Sequence, residues 1–192
     1  MKTRALLVLL ATPVALGAYA AHSSTFVEID RCLDGGGAWN YRSETCATTP
    51  AGPVDRIYIV KSEHWMAVYR GGTIIREFRV ALGRGGLKPK ERAGDARVPE
   101  GAYTITAHNP ASAYHLSLRI SYPTPEQAAA AAAHGISPGG DIMIHGLPNG
   151  RGWVGSRQRK ADWTDGCIAI TDREMDWLYA VVPDGTPVEI RA

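Results

Sequence analysis

From Val54 onward the chain changes face at every residue. "RIYIVKS" alternates apolar and polar side chains, "HWMAVYR" repeats the pattern after a tight turn, and Gly71–Gly72 leads into "TIIREFRVALG". A period of two marks a half-buried strand, and paired glycines supply the positive φ that two-residue hairpin turns need. The stretch predicts a β-meander. "AYTITAHN" adds an alternating strand behind the turn residues Pro99 and Gly101, and "TPVEIRA" is a further strand. Two stretches carry helix punctuation instead. In "TPEQAAAAAAHG", Thr124 is the N-cap, Pro125 opens the helix, Gln127 completes a capping box and Gly135 stops it. In "TDREMDWLYAVVPDG", Thr171 and Glu174 form the box, Pro183 ends the helix, and Trp177, Leu178 and Val181 give it an apolar face. Strands outnumber helices. The expected fold is α+β: a mainly antiparallel β-sheet with a few inserted helices.

The N-terminal third reads differently. "MKTR" is a short basic region, "ALLVLLATPVALG" an apolar stretch of signal-peptide length, and Ala18-Tyr19-Ala20 a small-x-small cleavage pattern. Residues 1–20 are therefore expected to be a signal peptide, and the protein to be exported to the periplasm or cell envelope. An uncleaved anchor is the alternative, although the run from Ala5 to Ala21 barely reaches the roughly 20 residues that a bilayer span needs. Membrane contact is expected only through that segment. The chain has 21 Lys and Arg against 19 Asp and Glu; without Lys2 and Arg4 the balance is 19 to 19. Such a chain has no excess of cations to displace counterions from a phosphate backbone, which argues against nucleic acid as a partner.

Residues 21–53 hold Cys32 and Cys46 on either side of a glycine-rich turn, followed by Pro50, Gly52 and Pro53 as a linker. An oxidising compartment makes a Cys32–Cys46 disulfide the natural reading. Zinc is the alternative, but no CxxC or paired-histidine spacing accompanies these cysteines. Residues 54–192 form the main domain, long enough to bury a core of its own.

The third cysteine, Cys167, stands in "DWTDGCIAIT", before a short apolar run. Upstream, Asp141 to Ile144 reads as a short buried strand ending in His145 and Gly146. A thiol becomes a catalyst when an imidazole takes its proton, and two strand ends can bring such groups together. Gly166 permits close approach of the backbone, and neighbouring N–H groups are placed to hold an oxyanion. Taken singly, a cysteine beside Ile168 also reads as a small buried hydrophobe, and a strand-end histidine as a structural residue. "GRGG" at Gly83–Gly86 lacks the GK[ST] ending of a phosphate loop and no helix pattern follows, so it reads as a glycine turn.

"IHG", a spacer and then "TDGC" resembles the YkuD-type L,D-transpeptidase catalytic domain, whose signature is His-Gly followed by Ser/Thr-x-Gly-Cys. "ALGR", "GDARVPEGAYTI", "SAYHLSLRISYP" and "PGGDIMIHG" are similar to that family in the same order, over roughly Val54 to Ile190. The resemblance implies an L,D-transpeptidase-like β-sandwich. By position it makes Cys167 the nucleophile, His145 the general base, the Gly146 carbonyl the group that orients the imidazole, and the N–H groups around Gly166 and Cys167 the oxyanion donors. It implies a thioester formed on a peptidoglycan stem peptide with loss of the terminal D-alanine. The thioester then passes to an amine-bearing acceptor stem or a cell-wall-anchored lipoprotein. No cofactor and no metal is expected. With water as acceptor the same chemistry gives an L,D-carboxypeptidase or amidase-type hydrolase, and a catalytically inactive peptidoglycan-binding module is a third reading. A metallopeptidase would need His108, His115 and Asp141 at metal spacing, which they lack.

Two positions depart from the family pattern: Asp165 stands where histidine is common, and Ala169 where arginine is common. They suggest a divergent branch carrying "WT-x-GCIA", in which water can stand in for the acceptor amine, and in which an anionic Asp165, if close to Cys167, disfavours the thiolate. Substrate contacts are expected from Asp165, Trp163, Arg151, Arg157 and Tyr114. Arg151, Arg157, Arg159 and Lys160 either hold stem-peptide carboxylates or form a solvated face. Trp153 and Trp163 either line the cleft or pack in the core. Tyr114 and His115 are either structural or border the acyl-donor groove.

Overall fold

The computed structural model describes residues 27–29, 31–32, 38–41, 44–47 and 53–192. The expected signal segment 1–20, and parts of the 21–53 segment with its linker, lie outside the described residues. A two-stranded antiparallel hairpin, β1 (Ala38–Asn40) and β2 (Thr45–Ala47), pairs Trp39 with Cys46. Cys46 is bonded to Cys32 as a disulfide, and the hairpin lies against the main sheet with Trp39 buried.

The main sheet has eight strands. They are β3 (Arg56–Val60), β4 (Trp65–Arg70), β5 (Thr73–Arg79), β6 (Gly101–Asn109), β7 (Ser117–Ile120), β8 (Met143–His145), β9 (Ile168–Ala169) and β10 (Pro187–Arg191). Their spatial order is β5-β4-β3-β10-β6-β7-β8-β9, with β10–β3 and β8–β9 parallel and all other neighbours antiparallel. The expected meander is β3-β4-β5. Ile57 and Ile59 alternate with half-buried neighbours and are fully buried, each contributing about 2–3 kcal/mol of burial. Gly71 and Gly72 both adopt positive φ, as a type I′ turn demands, so a β-branched residue at either would break the hairpin.

Both helices carry the boxes read from sequence. In α1 (Pro125–Ala133) the Thr124 side chain accepts from the Gln127 amide, while the Thr124 amide donates to Gln127 Oε1. In α2 (Asp172–Val181) Thr171 and Glu174 do the same. α2 buries Met175 and Leu178, and Trp177 packs on Phe78 with ring centroids 5.9 Å apart. Residues Gly152–Lys160 form a 3₁₀ segment, kinked at Gly155, where φ is positive.

The sheet curls until its edges meet. Past β5, the Ala81 amide donates to the Ala169 carbonyl at 2.9 Å and the Ala169 amide donates back at 2.8 Å, joining the β5 side to edge strand β9. A half-barrel results, filled by Met66, Val68, Phe78, Ile105, Leu118, Ile144, Ile168 and Ile170 among others. The α+β fold with a mainly antiparallel sheet is what the structure shows, and the two layers of the expected sandwich are the two halves of this one curled sheet. The loop from Gly83 to Val98 crosses close to the β9 end. Lys61, which is 1% exposed, holds it by donating to the Leu87 and Val98 carbonyls and to Glu100 Oε1. Among the described residues no helix is long and apolar enough to cross a membrane.

Candidate active site

Strand β8 lies between β7 and β9, and its register decides where the reactive groups fall. His145 sits opposite Ser117 on one side and Ala169 on the other. Cys167 is the residue just before β9, two before Ala169, so strand alternation sends its side chain to the same face as Ala169. His145 and Cys167 both line one cleft of about 310 Å³.

His145 is only 4% exposed. Its Nδ1 lies 2.7 Å from the Gly146 carbonyl oxygen. A carbonyl only accepts, so Nδ1 carries the proton, and in the neutral ring Nε2 is a free acceptor. Nε2 has no hydrogen-bond partner among the described residues. The ring is walled by Tyr114, at a centroid distance of 4.6 Å, and by Trp163, at 5.7 Å and nearly perpendicular. Burial lowers the imidazole pKa below the ordinary histidine value, against the opposing Gly146 contact. The ring is therefore neutral at neutral pH.

The thiol is also neutral. Burial pushes the Cys167 pKa up, and Asp165 and Asp141 push it further, while a backbone hydrogen bond from Met143 and the charge of Lys90 act the other way. Its Sγ–H faces the Asp141 carbonyl at 3.6 Å. Asp141 itself holds a positive φ of 55°.

The turn carrying the cysteine is fixed by two residues. Thr164, buried, donates through Oγ1 to the Cys167 carbonyl at 2.7 Å and accepts from the Gly166 amide at 3.3 Å. Gly166 has φ of 122°, and a Cβ there would come within 2.8 Å of the Arg97 carbonyl in the Gly83–Val98 loop. Its lack of a side chain thus serves the approach of the protein's own loop. Gly146 is confined too: a Cβ would meet Asp172 Oδ1 at 2.8 Å, and that carboxylate receives the Leu147 amide.

The other expected residues separate. Trp163 and Tyr114 line the cleft, with Trp163 Nε1–H donating to buried Gln158. Asp165 also lines it, 76% exposed and ion-paired to Arg84 at 2.7 Å. Arg151 and Arg157 are exposed and do not line it. Arg159 pairs with Glu174 of α2. Trp153 is 77% exposed, in neither the cleft nor the core. His115 pairs with Asp176. The structure adds Asp141 and Thr164 to the site. Thr164 was visible as the first position of the "TDGC" motif, whereas nothing local marks Asp141. Among the described residues no group of three or more histidine, cysteine, aspartate or glutamate side chains is placed to hold a metal ion.

A buried imidazole with one nitrogen tied to its own backbone, sharing a cleft with a thiol at the mouth of a curled sheet, is found here in a chain that matches a known domain. Residues 54–190 match the model of YkuD, the L,D-transpeptidase catalytic domain. The chain belongs to that family. Among curated relatives, it is 29% identical over 133 residues to YafK of Escherichia coli (strain K12), whose own L,D-transpeptidase assignment is provisional. The match covers 66% of this chain and 46% of YafK. Among solved structures, the helical cell shape determining protein Pgp2 of Campylobacter jejuni aligns with a TM-score of 0.53 and 25% identity, over 71% of this chain and 47% of Pgp2. An L,D-transpeptidase from Mycobacterium smegmatis shares the fold at a TM-score of 0.50 and 18% identity, over 78% of this chain and 64% of its own. The chain thus spans about half the length of the first two.

Proposed function

We propose that this protein is an exported cysteine acyltransferase that acts on peptidoglycan stem peptides, with residues 54–192 as its catalytic domain. The observation that carries the reading is the His145 Nδ1–H···O=C Gly146 bond, which leaves Nε2 as an open base in the cleft that holds the Cys167 thiol. Family membership supplies the substrate class. Export is supported by the N-terminal sequence pattern and is consistent with the Cys32–Cys46 disulfide.

With both partners neutral at rest, nucleophilic attack and proton transfer occur together. His145 Nε2 takes the Sγ proton as sulfur attacks the carbonyl carbon that follows the third stem residue. The tetrahedral oxyanion is held by the Cys167 amide, since the Gly166 amide is engaged by Thr164. The His145 imidazolium then gives its proton to the departing D-alanine nitrogen, the C–N bond breaks, and a thioester remains on Cys167. An acceptor amine loses a proton to His145 as it attacks the thioester, forming the new amide and restoring the thiol. Water in the acceptor's place gives hydrolysis of the same linkage. The likeness to Pgp2, named for determining helical cell shape, supports a role in shaping the wall.

Mass spectrometry of muropeptides after incubation with the purified mature protein tests the reading. New cross-links support transfer to an amine, and stems shortened by one residue support hydrolysis. Unchanged muropeptides, or changes that survive Cys167→Ala, would overturn it.

A further inference from the structure

The glycine turn at Gly83–Gly86 serves a contact inside the protein. The Thr164 amide donates to the Leu82 carbonyl at 3.1 Å, and the Arg84 amide donates to the Thr164 carbonyl at 3.0 Å. Gly83, between those two bonds, is packed so closely that a Cβ on it would collide with the Ala96 carbonyl and come within 3.1 Å of the Gly166 Cα. The Arg97 carbonyl closes on Gly166 as well. The turn from Thr164 to Cys167 thus rests on both ends of the Gly83–Val98 loop.

That support bears on Gly166 in particular. The peptide unit between Gly166 and Cys167 carries the Cys167 amide, the oxyanion donor of the reading above. Its direction follows from the backbone angles of Gly166, and glycine is the residue least able to hold its own angles. Thr164 fixes the groups on either side of this unit, the Gly166 amide and the Cys167 carbonyl. Between them, the packing of Gly83 and Arg97 on Gly166 supplies the restraint.

A long loop acts as a support only when it is anchored. This one has two anchors, and both are buried. Lys61 directly follows β3, and its amide donates to the Arg191 carbonyl, so its backbone is part of the sheet. Its side chain reaches the Leu87 carbonyl at 2.7 Å, the Val98 carbonyl at 3.4 Å and Glu100 Oε1 at 2.7 Å. Lysine is almost never buried to this extent unless it is paired. Asp95, whose side chain is 7% exposed, accepts the Lys90 ammonium and the Arg97 amide at Oδ1 and the Glu91 and Arg92 amides at Oδ2. Lys61 ties the loop to the sheet, and Asp95 ties it to itself.

We propose that Lys61 and Asp95 are positioning residues for acyl transfer: by holding the Gly83–Val98 loop against Gly166, they aim the Cys167 amide at the oxyanion. This inference rests on the acyl-transfer reading above. Neither side chain lines the cleft, so both act through the backbone of the loop. A misaimed donor weakens the transition state and leaves binding of the ground-state substrate alone, so the loss falls on kcat.

The test compares two reactions of one sulfur in the mature protein, with the Cys32–Cys46 disulfide kept oxidised and Cys167 free. Release of D-alanine from a synthetic stem tetrapeptide passes through an oxyanion. Alkylation by iodoacetamide displaces iodide at a saturated carbon, and no oxyanion forms. Both are followed well below the unfolding midpoint of each variant. Lys61→Met and Asp95→Asn should each lower kcat by about 10- to 100-fold, with KM within about twofold and the alkylation rate within about threefold of wild type. A loop that serves only as scaffold would behave differently: loosening it would uncover the thiol, and alkylation would speed up as kcat fell. Asparagine has the shape of aspartate, so Asp95→Asn decides the matter where Lys61→Met does not fold. A folded variant with kcat near wild type, a loss carried by KM, or a loss accompanied by faster alkylation would overturn the inference. Wild-type protein that is alkylated but releases no D-alanine would instead overturn the acyl-transfer reading, and this inference with it.

Discussion

Lys61 and His145 are both almost wholly buried polar groups, yet they are treated in opposite ways. The three N–H bonds of Lys61 find three acceptors: the Leu87 and Val98 carbonyls and Glu100 Oε1. His145 spends one nitrogen on Gly146 and leaves the other without a partner. That nitrogen is not sealed in the core: it opens on the cleft. On the acyl-transfer reading proposed above, a fold that satisfies a buried lysine completely and leaves a histidine half-satisfied keeps that second nitrogen for a proton that arrives only during reaction.

The comparison is broken most directly at its open end. Cys167→Ala and His145→Ala should each lower turnover on stem peptide by on the order of 10⁴-fold or more. The double variant should be scarcely worse, because the two groups act as one unit. Unfolding transitions should stay close to wild type, since neither change opens a large cavity. Additive losses in kcat would show that the two groups work separately.

At the closed end, Lys61→Met should cost about 2–4 kcal/mol of stability by leaving two carbonyls and a carboxylate without their donor. Denaturant unfolding reads this directly. An unchanged midpoint would mean that the three contacts are replaced by water at no cost.

The smallest effect sharpens the site's resting state. Burial and the two carboxylates raise the Cys167 pKa, while burial lowers that of His145. At neutral pH the cysteine is therefore protonated and the histidine uncharged. Thiolate ultraviolet absorbance, measured against Cys167→Ser, should appear only above the ordinary thiol value of about 8.5. The acid limb of kcat/KM should fall below the ordinary histidine value of about 6.5. A thiolate signal already present below neutrality would mean a preformed ion pair.

Much of this was legible in the chain, and the remainder has identifiable causes. The β3-β4-β5 meander, both capping boxes and the Cys32–Cys46 disulfide follow from patterns within a few residues. Strand β7 did not announce itself, because "SLRI" is too short to show a period. Strand β9 has two residues and exists only because β8 and the Ala81 segment flank it. The meeting of Cys167 and His145 in one cleft was readable through their motif. The approach of the Asp141 carbonyl to the Cys167 thiol was not, since it depends on how elements far apart in sequence come together. Trp153 and Trp163 look alike as residues, and only the kink at Gly155 and the turn at Thr164 send one to solvent and the other against His145.

Three cysteines can pair in three ways, and the closeness of Cys32 to Cys46, 14 residues apart, decides among them. Ring closure between either of these and Cys167 spans most of the chain, roughly three doublings of loop length more. At about 0.6 kcal/mol per doubling, the short ring is favoured by about 2 kcal/mol, or roughly thirtyfold in encounter probability while the chain is still unfolded. The wrong bridges would consume the sulfur that the proposed reaction needs. Spacing along the chain thus protects the Cys167 thiol during oxidation, at the stage when no cleft yet exists to shelter it.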